Sequence, residues 1–161
     1  MNWLGAFVVV LASYLLGILL AKDEGIALKS AESLLSLLSY MKRRMQSERT
    51  PLFAIFSDFN DRFLQENGFL DILRSHREGI SVLWQEAVKH LKTDSETEKE
   101  CLRFGESLGQ LPLDEQIARL DALTVFLTEK CNTLRKNLPD KQKSIKTVCL
   151  LLGLMTAIIL L

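Results

Sequence analysis

From Trp3 to Ala21 the chain carries no charged residue, and this run restricts its folds more than any other feature. At 1.5 Å per residue those positions make a helix of about 28 Å, close to the roughly 30 Å of a bilayer's hydrocarbon core. A cleaved signal peptide is the competing reading. The run has no basic leading stretch, however, and Leu19-Leu20-Ala21 places no small residue three positions before a cleavage point. An uncleaved transmembrane helix over residues 1–21 is therefore expected. A second apolar run, Val148 to Leu161, reaches only about 21 Å as a helix. It becomes a span over 145–161 if Ile145 and Thr147 join it and Lys143 and Lys146 snorkel to the interface. A buried core helix is less favoured there, because a helix apolar on every side needs a large core or a bilayer.

Basic residues cluster at the inner ends of both runs: Lys22 and Lys29 after the first, and Arg135, Lys136, Lys141, Lys143 and Lys146 before the second. This bias predicts a cytoplasmic centre, residues 22–144, with both termini across the membrane. Lys plus Arg and Asp plus Glu number 20 each, so no net charge draws the chain to nucleic acid or to acidic small-molecule substrates. Cys101, Cys131 and Cys149 are odd in number and widely spaced, which suits buried thiols in a reducing compartment better than a disulfide framework or a zinc site.

The centre reads as helical throughout. Ala27, Ala31, Leu34, Leu38, Met41 and Met45 recur at alternating four- and three-residue steps on one long helix. Thr50-Pro51 reads as an N-cap and first turn, followed by Leu52, Ile55, Phe56, Phe59 and Phe63 on a second helix that ends at Asn67-Gly68. A short helix follows over 69–74, and another after Gly79 carries Leu83, Trp84, Ala87, Val88 and Leu91. Thr93 and Ser95, each with Glu three residues on, form overlapping capping boxes for a helix through Cys101 and Leu108 that Gly109 closes. The last begins near Pro112 with a stripe from Leu113 to Leu138, and Pro139 is expected to kink or break it. The fold class is all-α: a compact bundle of about six helices between two terminal transmembrane helices.

No chemistry-bearing constellation emerges. His76 and His90 lack spaced partners, Glu96, Glu98 and Glu100 suit a first helical turn, and phosphate-loop, dinucleotide and nucleophile-elbow motifs are missing. No catalytic, cofactor-binding or metal-binding residue is assigned, and an enzyme is not expected. Gly105 and Gly109 read as points of close helix packing. Lys42, Arg43 and Arg44 could meet an acidic partner or anionic lipid, although a basic run at a helix end also complements the helix dipole. Ser13 and Gly17 on one apolar run, with Gly153 and Ala157 on the other, are spaced to form shallow grooves through which two membrane helices would pack.

The order of features resembles the stage III sporulation protein AB family over almost the whole chain. The resemblance rests on the helix bearing Gly5 and Gly17, the Leu34 to Met45 stripe, Thr50-Pro51-Leu52, Leu83-Trp84-Gln85-Glu86-Ala87, Phe104-Gly105-Glu106-Ser107-Leu108-Gly109, and Gln116. Leu111-Pro112 departs from the Ser-Asp pair with which the family usually caps the next helix. The resemblance implies a subunit of the sporulation channel between mother cell and forespore, in the mother-cell membrane facing the forespore. It also implies a helical domain similar to the platform protein of type II secretion machines, non-enzymatic and touching a secretion-type cytoplasmic ATPase. A platform subunit of another type II secretion or type IV pilus-like system is the alternative.

Overall fold

A computed structural model of the chain describes residues 3–75 and 77–160, with the side chains at 3–7, 9, 20–24, 157, 159 and 160 outside the description. Seven α-helices and no strand occur among the described residues: α1 (Trp3–Glu48), α2 (Leu52–Asp58), α3 (Arg62–Glu66), α4 (Phe69–Arg74), α5 (Ile80–Lys89), α6 (Ser95–Glu106) and α7 (Leu113–Leu160). The chain divides into two compact units, Met1–Ile26 with Thr133–Leu161, and Ala27–Asn132.

The larger unit buries the stripe read from the sequence. Ala31, Leu34, Leu38, Met41 and Met45 of α1 are all inside, joined by Leu37, which the alternating steps did not include. Leu120, Leu127 and Cys131 close the core from α7, and Phe56, Phe69, Trp84 and Phe104 fill it from the short helices. Burial on this scale drives folding, at about 25 cal/mol per Å² of apolar surface removed from water.

Three local expectations are corrected. The stripe from Leu52 to Phe63 is two helices, not one. The chain turns extended at Phe59, and Asp61 restarts it by accepting the Leu64 N–H at 2.9 Å. Arg74 makes the break tolerable, its Nε donating to the Phe56 carbonyl at 3.0 Å and its Nη2 to the Phe59 carbonyl at 2.5 Å, so exposed acceptors at a helix end are paired. Pro51 precedes α2 with extended backbone, and Thr50 does not cap that helix. Its hydroxyl faces the Glu48 carboxylate at 3.4 Å instead. Pro139 does not end its helix, because α7 runs through it to Leu160. A proline inside a helix costs about 3 kcal/mol; the core contacts of Leu127 and Cys131 before it and the close helix packing around Gly153 after it hold both flanks helical.

The cap of α6 is Asp94, not Thr93 or Ser95. Its carboxylate accepts the Thr97 hydroxyl at 2.6 Å and backbone N–H at 3.5 Å, while the Thr93 hydroxyl is buried without a partner among the described residues. Lys130 of α7 reaches Asp94 at 2.8 Å and Glu96 at 2.7 Å, tying α7 to the start of α6. Burial pushes the Asp94 carboxyl up, but hydrogen bonds from Lys130 and Thr97 outweigh that effect and hold it below the usual carboxylate range. A carboxyl lowered on folding contributes stability above its unfolded value, about 3.9, and that stability is lost as pH falls through the folded value. Asp94→Asn keeps a capping oxygen but removes the charge, so its urea midpoint is expected to vary less with pH below 4 than that of the wild type. Equal pH profiles would refute the coupling. Asp94→Ala removes the cap as well, at about 1 kcal/mol.

No helix among the described residues is long and apolar enough to cross a membrane. The spans expected over 1–21 and 145–161 are thus not recognised as such, since the described apolar side chains of each run are fewer than a bilayer crossing requires. Parts of both runs, including the Trp3 and Lys22 side chains, fall outside the described residues, as does His76.

Candidate functional site

The larger unit is organised around one side chain. Trp84 is fully buried on α5, and its Nε1 donates to the Cys101 carbonyl on α6 at 2.9 Å. Phe69 and Phe104 meet its ring edge-on at 5.5 and 5.4 Å, and Phe56 lies tilted at 6.2 Å. Gly105 is where α6 makes room for this ring: a Cβ there would lie 2.4 Å from Trp84 Cδ1. Ser81 of α5 donates to the Gly105 carbonyl at 2.6 Å. Gly109, at φ +77°, turns the chain after α6 and has Ile80 Cγ2 2.8 Å from the position of a Cβ. The two stretches that carry the sequence resemblance, 83–87 and 104–109, therefore meet in one α5–α6 junction. Gln116, in the first turns of α7, is buried, with its Nε2 lacking a partner among the described residues.

The basic run at the end of α1 is mostly occupied within the chain. Lys42 pairs with Asp121 of α7 at 2.6 Å, and Arg44 pairs with Glu48 and, at 2.8 Å, with Asp58 of α2. Arg43 is exposed, its guanidinium 5.5 Å from the Tyr40 ring centroid. Of the three cations, Arg43 alone has no carboxylate partner among the described residues. Long-range pairs of this kind leave no trace in local sequence spacing. The same holds for Arg103 and Arg119, which sequence reasoning passed over and which flank a groove between α6 and α7.

In the smaller unit the two ends of the chain pack as a helix pair. A Cβ at Gly153 would lie 2.9 Å from Ser13 Cβ and 3.4 Å from Val10 Cα, and one at Gly17 would lie 3.0 Å from Cys149 Cβ. Ser13, Gly17 and Gly153 are thus brought together, while the Ala157 side chain lies outside the described residues. Around this seam the outward side chains are apolar: Val8, Leu11, Leu15, Leu16 and Leu19 on α1, and Leu151, Leu152, Met155 and Ile158 on α7.

Cys101 is buried, and burial together with nearby Glu100 and Asp94 pushes its thiol up to about 12, so it is not a thiolate nucleophile at neutral pH. His90 is exposed. Glu96 pairs with Lys130, and no cluster of His, Cys, Asp or Glu suited to a metal occurs among the described residues.

These features define an all-helical protein with an aromatic-centred helical domain and an apolar pair formed by its two ends. Over residues 2–161 the chain matches the family described as stage III sporulation protein AB, and it belongs to that family of stage III sporulation proteins. No curated protein and no solved structure matches the chain.

Proposed function

We propose that this chain is a non-enzymatic, membrane-anchored platform subunit of the sporulation channel between mother cell and forespore. The observation that carries the reading is the outward apolar surface of the paired ends: Val8 is 61% exposed and Ile158 72% exposed, on helices with no apolar partner outside them. Apolar side chains in such a continuous band call for lipid or for protein neighbours within a membrane. Family membership supports the sporulation role and association with other subunits of that complex. The charge-free run from Trp3 to Ala21 and the basic residues inside it support a cytoplasmic larger unit and a mother-cell membrane location facing the forespore.

In this reading the larger unit docks a cytoplasmic secretion-type ATPase, and Arg43 is its exposed basic contact. Reversing Lys42 and Arg44 as well would cut ties from α1 to α7 and to α2, so Arg43→Glu is the cleaner variant. Two measurements test the proposal. An export-dependent phosphatase should be active when fused after Leu161 and inactive after Lys92; the opposite pattern would overturn the topology. Wild-type protein from sporulating cells should co-purify the ATPase, and Arg43→Glu should weaken that capture several-fold at low salt, as rim charges do. If the wild type captures no ATPase, the docking role is wrong; if Arg43→Glu captures it normally, the contact lies elsewhere.

A further inference from the structure

One feature of the larger unit has no role in that reading. Between α6 and α7 runs a groove of about 350 Å³, lined by Glu100, Arg103 and Phe104 from one helix and Arg119, Ala122 and Leu123 from the other. Its floor is apolar. Its rims carry two guanidiniums that have no carboxylate partner among the described residues; Arg119 makes only a 3.3 Å bond to the Ser107 hydroxyl. Along the α7 rim, Ala118 and Ala122 are exposed and small, and Val125 is 59% exposed.

We propose that this groove binds an acidic amphipathic helix of a partner protein. An apolar floor between two helices with small residues on one rim admits a third helix lying along it. No strand occurs among the described residues, so addition of an extended peptide to a sheet edge is not available. Charge sets the chemistry of the flanks. Arginine forks suit carboxylates in paired geometry, and two of them on opposite rims call for acidic residues on both flanks of the incoming apolar face. A polyanion such as nucleic acid or an anionic lipid surface is disfavoured. Glu100 sits in the groove itself, and Glu96, Glu98, Glu106, Asp114 and Glu115 lie on the same two helices, where they would repel a continuous phosphate array. The site is independent of the ATPase reading, whose contact is Arg43 on α1.

The test uses the full-length chain in non-ionic detergent and two fluorescein-labelled 15-residue helical peptides. Both have a leucine and alanine face, flanked in one by glutamates and in the other by lysines. By fluorescence anisotropy the glutamate peptide should bind, the lysine peptide should not, and salt should weaken binding. Arg103→Glu with Arg119→Glu should lower affinity for the glutamate peptide at least about tenfold and make the lysine peptide the better ligand. Ala122→Trp, which fills the groove without changing charge, should also abolish binding, while near-ultraviolet circular dichroism reports an intact fold. The proposal is overturned if the glutamate peptide fails to bind, if both peptides bind equally, or if neither variant changes the affinity. It is equally overturned if glycerol phosphate or a single-stranded oligonucleotide displaces the peptide and itself depends on Arg103 and Arg119, which would make the groove a phosphate site.

Discussion

Trp84→Ala is expected to cost about 3–5 kcal/mol of stability, the range for deleting a large buried aromatic. It removes a ring that three other aromatics touch and leaves the Cys101 carbonyl without the indole donor. Gly105→Ala supplies the complementary perturbation. Alanine improves helix propensity by nearly 1 kcal/mol over glycine, yet its Cβ would lie 2.4 Å from Trp84 Cδ1, and overpacking of this kind costs about 1–3 kcal/mol. Net destabilisation is expected because the ring is pinned by its hydrogen bond and its neighbours. Once Trp84 is alanine the crowding is gone, so the same Gly105→Ala change should become stabilising. Urea unfolding of the four proteins, followed by circular dichroism, measures this reversal of sign. A Gly105→Ala effect of the same sign and size in both backgrounds would show that the two residues are not coupled.

Gly153→Leu should disrupt the pairing of the chain's two ends. The first carbon of the new side chain would meet Ser13 Cβ at 2.9 Å and the backbone at Val10 Cα at 3.4 Å, and backbone cannot swing aside as a flexible side chain can. About 2 kcal/mol or more of helix-pair stability should be lost, equivalent to a decrease of over an order of magnitude in the paired state. Heat-resistant spore counts should fall, and cross-linking to other subunits of the channel should weaken. The near-ultraviolet signal of the aromatic cluster around Trp84 should persist. Normal assembly in both Gly153→Leu and Gly17→Leu would defeat the proposal that small residues at this seam matter. Loss of the aromatic signal would instead mean that the change is not confined to the smaller unit.

Much of the helical core was legible because buried apolar residues recur at helical spacing. Leu34, Leu38, Met41, Leu83, Trp84 and Leu127 are all inside, as their periodicity implied. What periodicity could not convey was competition between neighbouring signals. Phe59 and Phe63 stand four residues apart and read as one helix face, so the weaker signal of Asp61 as a cap was hidden between them. Around α6 three candidate caps, Thr93, Asp94 and Ser95, stand in a row, and Lys130, some thirty-five residues on, engages Asp94. The same distance in sequence concealed the engagement of Lys42 and Arg44 with Asp121 and Asp58, which left Arg43 as the exposed cation of the run. The groove flanked by Arg103 and Arg119 arises only when α6 and α7 lie side by side, and no spacing within either helix announces it.

The core of the larger unit is shared between a helix near its start and one near its end, and this affects how the protein is made. As the chain leaves the ribosome, the buried face of α1, from Ala31 to Met45, emerges long before Leu120, Leu127 and Cys131, which close over it in the finished fold. At about 5–20 residues per second, that interval lasts several seconds. During it α2 to α6 can gather around Trp84, since their contacts are local, but the apolar stripe of α1 stays incompletely covered. The nascent chain thus passes through a stage with an exposed greasy helix directly behind a charge-free leader-like segment, a combination that favours early delivery to the membrane over completion of folding in solution.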